Sequence, residues 1–407
     1  MKILVADKVS SGMIAELKAL GAAVTYEPDV KAEDLPGIIG DSKVVIVRSK
    51  KVTAETIQAA KSLSLIVRAG AGVNTIDLET ASRLGVYVAN CPGKNTDAVA
   101  ELAIGLLIAC DRGIADATQS LRAGQWEKGK FGKGSGLKGR TLGIIGTGAI
   151  GMAVVRRAQA MDMHVIAYSR SLTQEKAEQL GIGFCGNPVD VAKKADAISI
   201  HLAAAKETKG MLDAAFFSAM RKGAIFINTA RGDVLDQTAL ADAIQTKGIK
   251  VGLDVFADEP AGSKAEFLKT ELAAQITGTP HIGASTEQAE AAIAEEAVRV
   301  VQVFMSGLTP PNVVNLRAVR GAGPTLVVRH FNQVGVLASV FDKLRQEGIN
   351  IEDMQNLIFA GGETASCSIA IDKTPSVEVL EMLSAIEHIL EINISNASSP
   401  PTAHNHG

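Results

Sequence analysis

The chain has 407 residues, enough for two or three domains with real cores, and its 47% hydrophobic and 21% charged residues are ordinary for a globular protein. Its formal net charge of -3 gives no bulk attraction to nucleic acid or a membrane surface. Four well-separated cysteines, Cys91, Cys110, Cys185 and Cys367, show no CxxC spacing, which argues against a zinc site and suits reduced thiols in a cytoplasmic protein.

The first residues, MKILVADKVS, carry a short strand-like run and lack the apolar core of a signal peptide. Apolar runs at 3–6, 44–47, 65–68 and 86–89 are separated by helical segments such as 12–20, which Gly21 ends. Short buried runs alternating with helices predict a parallel α/β sheet. Residues 97–111 predict a long helix that is apolar on almost every face and buried between domains, with Glu101 as the exception. Its greasiest part, 102–110, is too short to cross a bilayer.

Residues 141–170 read TLGIIGTGAIGMAVVRRAQAMDMHVIAYSR. Strand, glycine loop, helix and strand follow one another in about 30 residues, the layout of a dinucleotide-binding unit. Gly146 allows the tight turn, Gly148 lets backbone approach a pyrophosphate, and Gly151 lets the helix pack on the strand. With Ala149 and Ile150 they form the candidate phosphate cradle at a helix N-terminus. The second strand of such a unit normally ends on a carboxylate that binds the ribose 2′-OH, but Ser169 and Arg170 stand there. Serine does not repel a 2′-phosphate and arginine pairs with one. NAD is the cofactor expected of such a unit, and Ser169 and Arg170 lean the reading towards NADPH or dual use; stacking of Arg170 on the adenine alone would leave NAD.

Further strands are expected at 197–201, 224–228 and 251–255, with Thr279-Pro280-His281 closing the series. A helix at 287–305 is stopped by Pro310-Pro311. Residues 317–324, RAVRGAGP, read as a linker. Strand 326–329, helix 336–347, strands 351–359 and 364–371, helix 376–385 and strand 389–394 then make a βαββαβ ferredoxin-like pattern. Residues 397–407 form a small, polar, proline-bearing tail. The expected fold class is α/β, with two Rossmann-like parallel-sheet domains and a C-terminal ferredoxin-like domain. The expected division is 1–95 with 283–316 for substrate, 96–282 for the dinucleotide, 317–324 as linker and 325–396 for regulation.

Open α/β sheets place their sites beyond the carboxyl ends of the strands. Arg231 follows AIFINTA, Asp254 and Glu259 lie in GLDVFADEP, and His281 follows TGTP. The planar fork of arginine suits a carboxylate. A Glu–His pair favours the protonated imidazole, which donates to a 2-keto oxygen and accepts the proton back in reverse. Residue types alone leave each open: Arg231 as a clamp or a surface ion pair, Glu259 as an orienter or a turn carboxylate before Pro260. His281 is likewise an acid/base or a satisfied strand-end histidine, and His201 reads as a packing residue.

The motifs RAGAGVNTID, NCPGKNTDAVAELA, GTGAIG, HLAAAKETKG, NTARGDVLD, GLDVFADEP and TPHIGAST occur in that order over residues 1 to about 316. Together they resemble the D-2-hydroxyacid dehydrogenases, and within that family the members that oxidise 3-phospho-D-glycerate to 3-phosphooxypyruvate at the start of L-serine synthesis. The resemblance implies that Arg231 binds the substrate carboxylate, that Glu259 pairs with a catalytic His281, and that Asp254 sits by the nicotinamide carboxamide. Thr229, Ala230 and Gly283 complete the implied cofactor contacts. A phosphorylated substrate needs extra cations. Arg48 and Arg68 match positions facing the substrate, and Lys128 and Lys130 match basic positions that reach a neighbouring subunit's site. The alternatives are an NADPH-dependent glyoxylate or hydroxypyruvate reductase, and a non-catalytic nucleotide-sensing partner protein.

The C-terminal unit resembles an ACT domain. His330, Asn332 and Asn350 stand at the places that hold L-serine in serine-inhibited relatives, while the usual proline before Gly335 is Val334. The resemblance implies an effector site between subunits and a homo-oligomer, expected as a tetramer. No metal is expected.

Overall fold

The computed structural model describes residues 1–260, 265–316 and 323–395. The tail at 397–407, and the linker apart from its last two residues, lie outside the described residues. The chain divides into two compact units, Met1–Asn315 and Leu316–Gly407.

The first unit holds two parallel sheets. One contains β1 (Lys2–Val5), β2 (Ala23–Tyr26), β3 (Val44–Val47), β4 (Leu65–Arg68) and β5 (Tyr87–Asn90), in the order 2-1-3-4-5. The other contains β6 (Thr141–Ile145), β7 (His164–Tyr168), β8 (Gly183–Phe184), β9 (Ala197–Ile200), β10 (Ile225–Asn228), β11 (Lys250–Leu253) and β12 (Thr277–Gly278). Its order, 12-11-10-9-6-7-8, reverses between β6 and β9, and the glycine loop lies at that switch point.

Parallel strands are buried on both faces, which is why they read as unbroken apolar runs. All four residues of β3 are buried. On one face of the first sheet, Ile3, Val44 and Leu65 pack with Ile293, Ala297 and Val301 of the helix Glu287–Met305. That helix starts at Thr286, whose hydroxyl accepts the Ala289 N–H at 3.1 Å, and its first turn carries Glu287 and Glu290. The cap and the two carboxylates suit a helix N-terminus. The chain therefore leaves the first sheet after β5, builds the second, and returns to the first through this helix.

The helix Thr96–Arg112 buries Ala100, Ala103, Leu106, Leu107 and Cys110 against the second sheet. Gly252 on β11 makes that approach possible, since a Cβ there would lie 3.2 Å from Cys110 Sγ. Burial on every face does not hold: Gly105 and Glu101 are exposed, and Leu102, Ile104 and Ile108 are half-buried. Glu101 now has a place, 3.2 Å from Arg157, which Asp97 also contacts at 2.9 Å.

Two short strands escape the sequence pattern. β2 and β8 lie at sheet edges, where one side lacks a partner and no apolar run is needed. The series closes on β12, and Thr279-Pro280-His281 is the turn that follows it. The ladder stops at Gly278, Pro280 has no N–H to offer, and His281 adopts φ 53°.

In the second unit β13 (Thr325–Phe331), β14 (Ile351–Ile358), β15 (Thr364–Ile371) and β16 (Ile389–Ser395) form an antiparallel sheet in the order 14-15-13-16. The helices Val336–Gln346 and Val377–Ser384 complete βαββαβ, the ferredoxin-like pattern expected. Burial alternates strictly along β15, and Cys367, Ile369 and Ile371 pack with Leu326, Val340 and Leu383. The edge strand β14 and the residue after it leave Met354, Leu357, Ile358 and Phe359 exposed.

Candidate active site

Apart from Lys128 and Lys130, the candidates in the first unit sit at or just beyond the ends of parallel strands. β6 runs into Gly146 at φ +100°, a conformation that side chains rarely adopt, and a Cβ there would lie 2.4 Å from the His201 carbonyl oxygen. A Cβ on Gly151 would lie 2.0 Å from the Gly146 oxygen. Among the described residues nothing lies within 4 Å of a Cβ at Gly148, so this glycine keeps an outer face clear. Ala149 and Ile150 open the helix Ala149–Ala160, whose cap Gly148 supplies no side-chain acceptor for the first N–H groups. Uncapped N–H groups beside a clear glycine face suit a pyrophosphate. Below the loop, His201 Nε2 lies 2.9 Å from Ser199 Oγ, and burial pushes its pKa down to about 3. The buried His201 Nδ1 and Thr229 Oγ1 have no hydrogen-bond partner among the described residues, leaving polar groups for a bound dinucleotide. Ser169 follows β7, and the exposed Arg170 makes no ion pair among the described residues.

The turn after β10 aims Arg231. Asn228 is fully buried; its Oδ1 accepts the Ala230 N–H at 2.9 Å and its Nδ2 donates to the Arg231 carbonyl at 2.9 Å. Gly232 must be glycine, because a Cβ would lie 2.0 Å from the Phe256 carbonyl carbon. After β11, the buried Asp254 ties the His281 loop together. Its Oδ1 accepts from the Thr279 hydroxyl at 2.7 Å and the Ile282 N–H at 2.8 Å, and its Oδ2 accepts the Gly283 N–H at 2.8 Å. The Asp254 carbonyl also accepts the His281 N–H at 2.8 Å, which helps hold the left-handed backbone there.

His281 Nδ1 lies 2.6 Å from Glu259 Oε2. The other carboxylate oxygen accepts the Phe256 N–H at 2.9 Å, so Glu259 is held from both sides. The Glu259 hydrogen bond raises the His281 pKa above its ordinary value, and it outweighs burial and Arg231, which lower it. Burial raises the Glu259 pKa, but the His281 bond, the Phe256 N–H and the charges of His281 and Arg231 bring it below its ordinary value. With Nδ1 occupied, His281 presents Nε2, which has no hydrogen-bond partner among the described residues.

The first sheet supplies cations. A Cβ on Gly72 would lie 2.6 Å from Arg231 Nη2, and one on Gly70 would lie 1.6 Å from Arg68 Nη1. The two glycines of RAGAG thus let two guanidiniums lie against one loop. Burial, then the charges of Arg231 and Arg48, lower the Arg68 pKa to about 10. The buried Arg68 Nε has no partner among the described residues. Arg48 follows β3, and its Nη2 lies 2.9 Å from Glu290 Oε1.

Lys128 and Lys130 do not join this cluster within one chain. They lie on the short helix Lys128–Phe131, where Lys130 pairs with Glu127 at 3.1 Å and sits 5.0 Å over the Phe131 ring. The effector candidates are also apart. His330 is buried, with Nδ1 2.8 Å from the Phe331 carbonyl and Nε2 3.4 Å from Asn356 Oδ1. Asn332 Nδ2 donates to the Gly362 carbonyl at 3.0 Å. Asn350 precedes β14 at the end where Ile351 pairs with Ile371, while Phe331 pairs with Thr364 at the opposite end of β15. A strand of that length separates Asn350 from the other two by roughly 20 Å.

Asn228, Gly232, Gly72 and Glu290 were not singled out from the sequence. The first two lie within NTARGD and Gly72 within RAGAG, so the signal was a short polar or glycine residue beside each arginine.

Residues 104–283 match the family described as D-isomer specific 2-hydroxyacid dehydrogenase, NAD binding domain. Over 321 residues the chain is 38% identical to D-3-phosphoglycerate dehydrogenase of Archaeoglobus fulgidus, covering 78% of this chain and 60% of that protein. The chain thus spans about 60% of the length of that curated relative. It is also 38% identical over 292 residues to glyoxylate reductase of Thermococcus litoralis, covering 70% of this chain and 86% of that one. Among solved structures, an acyclic imino acid reductase in complex with NADPH and D-Arg is similar at 26% identity and a TM-score of 0.69, covering 77% of this chain and 100% of that one.

Proposed function

As the chain belongs to the D-isomer specific 2-hydroxyacid dehydrogenase family, we propose that it oxidises 3-phospho-D-glycerate to 3-phosphooxypyruvate, the first step of L-serine synthesis. The observation that carries this reading is the Glu259–His281 pair at 2.6 Å, set in the electrostatic field of Arg231. When bound at the glycine loop, NAD supplies the acceptor for the hydride that leaves substrate C2. Arg231 holds the carboxylate with its two-nitrogen fork. His281 Nε2 takes the hydroxyl proton, while Glu259 fixes the ring's tautomer and stabilises the imidazolium. In the reverse direction the same imidazolium donates to the 2-keto oxygen. Asp254 keeps His281 in place through the 279–283 turn.

Arg48 and Arg68 support a substrate with a second anionic end. The second reading, a glyoxylate or hydroxypyruvate reductase, draws support from the Thermococcus relative and from the occupation of Arg48 by Glu290. A bare nucleotide-sensing role is disfavoured by the complete Arg231, Glu259 and His281 set. Steady-state assays with 3-phospho-D-glycerate, D-glycerate and glyoxylate separate these readings. Efficient turnover of the first supports the proposal, and preference for glyoxylate supports the reductase.

For the cofactor, Ser169 and Arg170 support use of NADP beside NAD. Ser169→Asp should then move the kcat/KM ratio towards NAD through repulsion of a 2′-phosphate. A wild type without NADP activity, with no change on substitution, would refute the dual use.

We also propose that L-serine inhibits through the C-terminal unit. Asn350 lies about a strand's length from His330 and Asn332, so a second copy must complete such a site. The exposed apolar edge of β14 suits pairing with a copy of itself, which supports a homo-oligomer, in our reading a tetramer. Serine should raise the apparent KM or lower kcat at least about fivefold, and Asn332→Ala and Asn350→Ala should each weaken it. Absence of inhibition at millimolar serine would remove this ligand. Buried cysteines outside any disulfide support a cytoplasmic location. No helix among the described residues is long and apolar enough to cross a membrane.

A further inference from the structure

Arg48 is held by two different carboxylates. Its backbone is fixed by the buried Asp7, which accepts the N–H groups of Arg48, Ser49 and Lys50 at 3.0, 2.7 and 2.8 Å. Its guanidinium is held by Glu290 at 2.9 Å, from the first turn of the helix Glu287–Met305. Glu290 therefore governs where the charge points, while Asp7 governs where the residue sits. The ion pair lines a cavity with Lys8, Ser10 and Ala69. Ala69 lies between Arg68 and Gly70, so this cavity adjoins the loop that carries the candidate substrate cations. Lys8 is turned to Asp29, 3.3 Å away on the surface.

We propose that Glu290 sets the selectivity between phosphorylated and unphosphorylated 2-hydroxy acids by competing with the substrate phosphate for Arg48. The inference rests on the substrate reading given above. A phosphate and a carboxylate both accept the two-nitrogen fork of arginine, so they seek the same donors. The carboxylate is already in place, and a phosphorylated substrate must displace it. D-Glycerate, anchored by its carboxylate and carrying no phosphate, has no such competition to win. Glu290 is thus a positioning residue that acts through Arg48. Both side chains are partly exposed, at 34% and 46%, which limits the effect to a few-fold.

The test is steady-state kinetics of the full chain with 3-phospho-D-glycerate and D-glycerate, which differ only in the phosphate. Glu290→Gln keeps the shape and removes the charge. It should lower KM for the phosphorylated acid about two- to fivefold relative to KM for D-glycerate, with little change in kcat. Glu290→Asp, which keeps the charge, should stay closer to the wild-type ratio. In an Arg48→Ala background, Glu290→Gln should no longer move the ratio, because the interaction it modulates is gone. A KM change of equal size for both substrates, or one that persists without Arg48, overturns the inference. If wild type turns over 3-phospho-D-glycerate and Glu290→Gln leaves the ratio where it was, this inference alone fails. If wild type does not turn that acid over, the substrate reading fails and the inference falls with it.

Discussion

Replacing His281 by glutamine should lower kcat about 10²–10⁴-fold while NAD affinity stays near that of wild type. Glutamine keeps a polar side chain at the same turn but cannot accept and return a proton near neutral pH. The glycine loop, which carries the cofactor contacts, lies on a different strand end and is not disturbed. The pH profile gives an independent reading. Glu259 holds the His281 pKa above its ordinary value. Oxidation needs the neutral ring, so its kcat/KM should rise as pH increases through that raised pKa. Reduction needs the protonated ring and should fall through the same pKa. Glu259→Gln removes the cause that raises it, while burial and Arg231 still lower it. The oxidative limb should therefore move to lower pH. A His281→Gln variant with more than half of wild-type kcat would take this residue out of the proton step, and an unmoved limb in Glu259→Gln would separate the pair.

Arg231→Lys should raise KM for the hydroxy acid about 10–100-fold, with a smaller change in KM for NAD. Lysine keeps the charge but loses the fork. Asn228 grips the Arg231 carbonyl and the Ala230 N–H, so the turn keeps these two bonds in the variant and loses only the one from Arg231 Nη1 to the Ala230 carbonyl at 2.6 Å. The guanidinium itself lies against Gly72, where a Cβ would be 2.6 Å away. Gly72→Ala should consequently mimic part of the Arg231→Lys defect. If the lysine variant raised both KM values equally, Arg231 would be supporting the cleft rather than holding a carboxylate.

The buried strands and the glycine loop were legible because local physics dictates both. A strand covered on two faces must be apolar throughout, and Gly146 and Gly151 stand where a Cβ would meet backbone. The edge strands β2 and β8 left no such mark, since their open sides tolerate polar residues. The shape of the turn at 279–283 left no local mark, because it is set by Asp254, a residue remote in sequence whose carboxylate collects the turn's donors. Arg231, Glu259 and His281 were visible as residue types, but only the folded chain shows His281 Nδ1 against Glu259 and Arg231 against Gly72. Arg48 was legible as a cation; its partner Glu290, on a helix that returns from the far end of the unit, was not. The spacing of His330, Asn332 and Asn350 likewise concealed that the helix Val336–Gln346 carries Asn350 to the opposite end of the sheet from the other two.

The most direct test of the central claim follows the hydrogen on C2. The chain is incubated with NAD and 3-phospho-D-glycerate deuterated at C2, and the reduced cofactor is analysed by mass spectrometry. The account predicts one deuterium in each reduced nicotinamide formed, at a rate that collapses in His281→Gln. Reduced cofactor without deuterium, or no reduction of NAD by this acid, would contradict it.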